Sequence, residues 1–193
     1  RKKSLFLKKK IKFKKNDFIL DIGSNDGTFL NFFNGCNLFG LDPSIKKFKK
    51  NYKKEIKKLP HIFEKGYRHI KNKKFKLITA IAMFYDLEDP LKFVRDIHES
   101  LDDNGIWHFE QSYMPSMLEV NGFDTICHEH LEYYRLKQIQ WMMKKVGFKI
   151  IDIELNQSNG GSFSVTVAKS GSSIPESQDV TRLLLEEKKK GLS

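Results

Sequence analysis

Cysteine is scarce in this chain, and its two copies sit apart: Cys36 and Cys127 lie in unrelated contexts and no Cys-x-x-Cys pair occurs. That excludes a disulfide framework and points to a reduced, cytoplasmic compartment. Long apolar runs are missing too. No stretch approaches the length of a membrane span, and the Lys-rich N-terminal segment has no apolar core behind it to make it a signal peptide. The sequence therefore predicts a soluble protein without a membrane partner. At 193 residues it predicts one main domain, large enough to bury well over half of its unfolded surface without a staple.

Acidic residues are outnumbered, 24 against 35 Lys and Arg, which leaves a net charge of +11. Such an excess can mark a phosphate-backbone groove, here fed by Lys9, Lys10, Lys12, Lys14 and Lys15. Few aromatic residues are interleaved among the tightest clusters, and these are the stacking platforms that single-strand binding wants. Lysines recur throughout, at 46–47, 49–50, 53–54, 57–58, 73–74, 144–145 and 188–190, a pattern of solvated faces that points away from nucleic acid.

The chain starts at Arg1 with only a short amphipathic stretch before its first core strand, and the helical pattern at 180–190 stops abruptly, so it reads as a piece of a longer protein. Strand-like runs at 17–22, 38–42, 61–63, 76–82, 105–111, 148–155 and 162–168 alternate with helix-like runs at 27–34, 44–57, 90–101 and 136–146. Boundary signals fall between them at Asp42-Pro43-Ser44, Glu88-Asp89-Pro90, Asp103-Asn104-Gly105 and Gly147. This alternation predicts an α/β fold with a mostly parallel sheet covered on both faces. The last two strands, joined across 156–161, break the alternation and predict an antiparallel hairpin at one edge. Residues 1–169 make the predicted domain, and 170–193 a linker with the start of a C-terminal segment.

The most informative residues are Asp21-Ile-Gly-Ser-Asn-Asp-Gly27, which carry a strand out into a glycine turn, and Leu41-Asp42-Pro43 at the next strand end. Gly23 and Gly27 allow the turn and a close approach of ligand to backbone, while Asp42 can accept both hydroxyls of a ribose. A Gly-x-Gly-x-x-Gly is lacking, and Asp26 stands where a pyrophosphate would arrive. A carboxylate there repels phosphate but tolerates an amino-acid tail with a sulfonium, so S-adenosylmethionine fits better than NAD. The plainer reading is that Asp21 and Asp26 cap a helix. The cofactor contacts expected are Asp21, Gly23, Ser24, Asn25, Gly27, Asp42 and Pro43. Ala82 and Met83 join them from the end of the fourth strand, where open α/β sheets hold their ligands.

Downstream, Cys127-His-Glu-His130 invites a metal reading, but the remaining histidines supply no matching pair and no metal is expected. Polar residues closing a loop are one alternative. General acid–base chemistry is the favoured one, with one His taking a proton while Glu129 or the other His orients it. Tyr133 and Tyr134 follow as pocket-lining or packing residues. No Asn-Pro-Pro-Tyr follows the fourth strand, which removes the main support for methylating a nucleobase amino group.

Together these segments resemble the class I S-adenosylmethionine-dependent methyltransferases, and more narrowly the C-methyltransferases that act on nucleotide-linked deoxysugars, over residues 18–169. The segment from Phe123 through His128-Glu129-His130 to Tyr134, and Asn159-Gly-Gly-Ser-Phe163, carry the narrower likeness. The resemblance implies a Rossmann-like sheet of seven strands, S-adenosylhomocysteine as product, and His130 as base beside His128 and Glu129. It further implies acceptor contacts from Tyr113, Tyr133 and Asn159, and a nucleotide-linked sugar as small-molecule partner. Cys127, Ala82 and Asp86 depart from the family's usual Tyr, Asn and His. Carbon methylation of a keto sugar nucleotide is thus expected. The alternatives are O-methylation, a basic nucleic-acid-binding module and an RNA methyltransferase.

Overall fold

Apolar residues of the strands leave toward both faces of one sheet, and each face needs a cover. In a computed structural model, which describes residues 2–192 apart from the side chains of Asp124 and Asn159, seven strands are found. They are β1 (Phe18–Ile22), β2 (Asn37–Leu41), β3 (Lys57–Leu59), β4 (Phe75–Ile81), β5 (Leu101–Ser112), β6 (Phe148–Asn156) and β7 (Ser162–Lys169). Their order is β3-β2-β1-β4-β5-β7-β6. Pairings from β3 through β5 are parallel, and β7 runs antiparallel to both neighbours. The mostly parallel seven-stranded sheet and its edge hairpin are as expected.

The helices are α1 (Lys2–Lys10), α2 (Ile45–Phe48), α3 (Phe63–Gly66), α4 (Pro90–Ser100), α5 (Met114–Glu119), α6 (Leu136–Val146) and α7 (Asp179–Lys189). One face of the sheet is covered by a core drawn from α3, α4, α6 and α7 around Phe75, Phe84, Trp107 and Phe109. The other is covered by a smaller core in which Leu7, Leu30, Phe33, Ile45 and Tyr52 meet Ile19, Leu38, Leu77 and Ile106. Among the described residues no helix is long and apolar enough to cross a membrane.

Local signals succeed where they are self-contained. Asp89 caps α4, accepting the Lys92 N–H at 2.9 Å with Pro90 in the first turn. Gly147, at φ +99°, closes α6 in the left-handed conformation. Elsewhere the structure corrects the expected pattern. The predicted helix at 27–34 shrinks to a 3-10 turn at Leu30–Phe32, because positive φ at Gly27 and Gly35 brackets it. The predicted helix at 44–57 shrinks to α2 and a 3-10 turn at Lys49–Asn51. A continuous helix there would stack Lys46 on Lys50, Lys49 on Lys53 and Lys50 on Lys54, each pair costing about 0.2–0.5 kcal/mol.

The strand expected at 61–63 lies instead at β3, whose lysines suit a sheet edge. Phe63 turns into the core at the start of α3. Asp103-Asn104-Gly105, read as a turn closing α4, lies within β5, where a register shift separates the Leu101 and Ile106 pairings.

The segment after β7 leads into a docked helix. Val180 and Leu183 of α7 enter the larger core, and Glu187 is buried at 2% exposure.

Candidate active site

Parallel strands leave their carboxyl ends at one edge of the sheet, and a cleft of about 570 Å³ opens there beside β1, β2 and β4. Gly23, Asp42, Pro43 and Met83 line it, with Ile62 and Phe63 on the far wall. Met83 faces Gly23 so closely that a Cβ on the glycine would lie 3.2 Å from the Met83 side chain. The cleft wall also carries Glu64, Asp86, Glu88, Asp89 and Asp96, while its Lys92 is bonded to Asp96 at 2.6 Å. This carboxylate excess suits a sulfonium in the cofactor better than a dinucleotide's pyrophosphate.

The turn is braced from behind by a residue that sequence reasoning missed. The Tyr52 hydroxyl donates to the Asn25 carbonyl at 2.7 Å and lies 2.8 Å from the Ser24 hydroxyl. Its ring fits only because Gly27 and Gly40 lack side chains: added Cβ atoms would lie 2.6 and 2.9 Å from ring carbons. Burial first, with the carboxylates around the turn adding, pushes Tyr52 up to about 12. Gly27 thus admits Tyr52, while the close approach to the cleft belongs to Gly23. The only sequence signal for Tyr52 was an aromatic residue amid lysines, which local reading counts as packing.

Asp42 is held ready rather than free. Its oxygens accept the Ser44 N–H at 2.6 Å and the Asn25 N–H at 3.0 Å, leaving further lone pairs for two ribose hydroxyls. Asp21 sits behind the cleft, buried at the end of β1, where it accepts the Thr79 hydroxyl at 2.5 Å. Burial pushes its carboxyl up to about 7, against the Thr79 bond and with the Asp42 charge adding. Asp26 accepts the N–H and hydroxyl of Thr28, which hold its carboxyl below the usual range. It caps its own turn rather than a helix. Ala82 is exposed and left-handed, at φ +54°, and its N–H donates to the Glu110 carbonyl at 2.8 Å. The residues present fit S-adenosylmethionine: a ribose-reading acid, a glycine-lined wall and an acidic lining.

The His-Glu-His segment meets this edge although it lies far from it in sequence. The N–H groups of Leu131 and Glu132 donate to the Tyr85 carbonyl at 3.0 and 3.1 Å, just past the end of β4. The His130 ring packs on the Tyr85 ring with centroids 4.3 Å apart. Its Nδ1 lies 2.7 Å from the Thr125 carbonyl, which can only accept, so Nδ1 carries the proton and a neutral ring keeps its lone pair on Nε2. The partner of Nδ1 in this structure is a backbone carbonyl, while Glu129 and His128 are both exposed. Asp86 lies in the field of both His130 and Glu129, and burial raises its carboxyl.

Of the expected acceptor contacts, Tyr133 reaches the same Thr125 carbonyl at 3.5 Å. Tyr134 is buried against Phe84. Tyr113 is turned away from the cleft, its hydroxyl donating to Glu187 at 2.9 Å, and burial with that carboxylate raises its pKa. The Asn159 side chain lies outside the described residues. No cluster of metal-ligating groups occurs among the described residues.

Comparison with known proteins identifies the family of the chain. A family described as "Methyltransferase domain" matches residues 1–153. The chain is 25% identical over 185 residues to the C-methyltransferase NovU of Streptomyces niveus, covering 92% of this chain and 43% of that protein. It is 29% identical over 109 residues to a tRNA U34 carboxymethyltransferase of Campylobacter jejuni subsp. doylei, covering 53% and 38%. The chain thus spans less than half the length of these curated relatives. Among solved structures, the plantazolicin methyltransferase BpumL, in complex with S-adenosylhomocysteine and a desmethyl analogue, superposes with a TM-score of 0.64 at 13% identity, over 86% of this chain and 81% of that one.

Proposed function

The chain belongs to the methyltransferase-domain family, with S-adenosylmethionine as methyl donor, and from that premise we propose that it methylates a carbon next to a carbonyl, in a keto sugar nucleotide or related carbohydrate. The observation that carries this reading is the fixed tautomer of His130. With Nδ1 donating to Thr125, Nε2 is left as a proton acceptor on a loop tied to the carboxyl end of β4.

His130 takes the acidic proton of the acceptor carbon on Nε2, while Nδ1 stays bonded to the Thr125 carbonyl. The cofactor, when bound, supplies an electrophilic methyl on a sulfonium. Asp42 and the Gly23 wall hold the adenosine end, so the reacting groups meet by positioning, the larger part of the rate. The likeness to a C-methyltransferase over most of the chain supports carbon rather than oxygen as the methylated atom.

Incubation in deuterium oxide with a keto sugar nucleotide and S-adenosylhomocysteine tests this. Wild type should wash deuterium into the carbon next to the carbonyl, and His130→Asn should not. No deuterium at carbon, together with O-methylated product when S-adenosylmethionine replaces S-adenosylhomocysteine, overturns the reading in favour of O-methylation.

A further inference from the structure

The whole excess charge of the chain sits at one end. Residues 2–58 carry 16 lysines against five acids, a net +11, whereas 59–193 carry 18 Lys and Arg against 19 acids. These 57 residues fold into α1, β1 to β3, the 3-10 turns and α2, with their helical parts on one face of the sheet around the smaller core. Asn31 bonds the Asn51 carbonyl, Lys53 reaches Asn34, and Cys36 meets the Lys14 carbonyl, so the lysines of 8–15 and 46–58 belong to one continuous layer.

The charge of this layer is barely cancelled. Asp21 and Asp42 belong to the cleft, and Asp17 and Asp26 accept backbone N–H groups within their own turns. Among the described residues, only Lys3 and Lys10 of the layer pair with carboxylates, those of Glu110 and Asp152. Others are steadied by aromatic rings: Lys8 over Phe33 and Lys47 over Phe48, at 5.1 and 5.2 Å. Lys58 donates to the Lys53 and Ile56 carbonyls. A ring or a carbonyl holds an ammonium in place and leaves its charge on display, as a carboxylate would not.

We propose that this layer binds the phosphate backbone of a double-stranded nucleic acid. Leu5 is its single large exposed apolar side chain among the described residues, too little to seat a helix in a membrane surface. Phe6, Phe13, Phe29 and Phe32 are partly buried against the smaller core, Phe13 and Phe29 packing on Phe33 at 5.7 and 5.3 Å, which leaves none of the four standing clear as a platform for splayed bases. Fixed cations without stacking surfaces suit a duplex backbone. The layer covers the sheet face of the smaller core, and the proposal makes the duplex a ligand of that layer and not the methyl acceptor.

Fluorescence anisotropy of a labelled RNA duplex of about two helical turns, titrated with the full chain, tests this. Affinity should fall roughly 10³-fold or more between about 50 and 200 mM KCl. Replacing Lys46, Lys47, Lys49 and Lys50 together with Glu should weaken binding at least tenfold, and so should Gln at Lys9, Lys12, Lys14 and Lys15. Affinity for S-adenosylhomocysteine, measured by calorimetry, should stay unchanged in both, which also shows that they are folded. No duplex binding at low salt, or affinity that neither variant lowers, overturns the proposal. So does binding to phosphatidylserine-containing vesicles by a chain that ignores the duplex.

Discussion

The rings of Tyr85 and His130 lie against each other, 4.3 Å between centroids and inclined at 54°. Tyr85 follows the end of β4 and His130 closes a loop after α5, so this contact joins the cleft edge of the sheet to the loop that carries the proposed base. The Tyr85 carbonyl fixes the joint by accepting two N–H groups of that loop, and the Thr125 carbonyl fixes the ring.

His130→Asn keeps a donor for the Thr125 carbonyl but removes the lone pair at Nε2. Methyl transfer should fall about 10²–10⁴-fold, the usual worth of a general base. The affinity for S-adenosylhomocysteine, by calorimetry, should change less than twofold. Equal losses of both would show that His130 shapes the cofactor cleft instead.

Two glycines at nearly the same φ separate strain from crowding. At Gly35, φ +75°, a Cβ would meet nothing within 4 Å, whereas at Gly27, φ +78°, it would lie 2.6 Å from the Tyr52 ring. Gly35→Ala should cost about 1–2 kcal/mol, the left-handed penalty alone. Gly27→Ala should cost more, because Tyr52 must leave Ser24 and Asn25, and should weaken cofactor binding as well. Urea unfolding of both variants, with and without S-adenosylhomocysteine, makes the comparison; equal costs would mean that Tyr52 yields freely.

These residues also show what the sequence could disclose. The mostly parallel sheet, the edge hairpin, the caps of α4 and α6, and the glycine turn with Asp42 were legible, because each depends on a local period, a turn residue or a short spacing. Tyr52 was not, since its partners are Ser24, Asn25, Gly27 and Gly40, and only folding brings them together. The Thr125 carbonyl was invisible for a different reason: backbone acceptors carry no sequence signature. The helix expected at 44–57 failed because apolar periodicity says nothing of lysine pairs repelling along the same face.

Asp21 makes stability fall with rising pH. Burial raises its folded carboxyl to about 7, from an ordinary value of 3.8. Between those values the folded chain holds a proton that the unfolded chain has lost, so stability drops as pH climbs through that window and levels above it. Asp21→Asn keeps an acceptor for Thr79 without the charge. It should be more stable than wild type at pH 8, by at most about 4 kcal/mol, and the gap should narrow toward pH 5. Urea midpoints at the two pH values check this; a constant gap would place the titration elsewhere.

Glu187 is the clamp on which α7 closes. Its buried carboxylate accepts the Leu136 N–H at 2.6 Å, the Lys137 N–H at 3.2 Å and the Tyr113 hydroxyl at 2.9 Å. It thus satisfies the first turn of α6 and puts negative charge at a helix N-terminus. Glu187→Ala strands all three donors and should cost about 3 kcal/mol, charge-assisted bonds being worth about 1.5–3 each and not additive. Tyr113→Phe removes one donor and leaves the carboxylate bonded to α6, so it should cost about 1 kcal/mol. The same variant decides the role of Tyr113. If the hydroxyl serves only the clamp, Tyr113→Phe lowers the urea midpoint and leaves KM for the acceptor unchanged. A raised KM at unchanged stability would return Tyr113 to the acceptor site, and would require that hydroxyl to leave Glu187 when substrate binds.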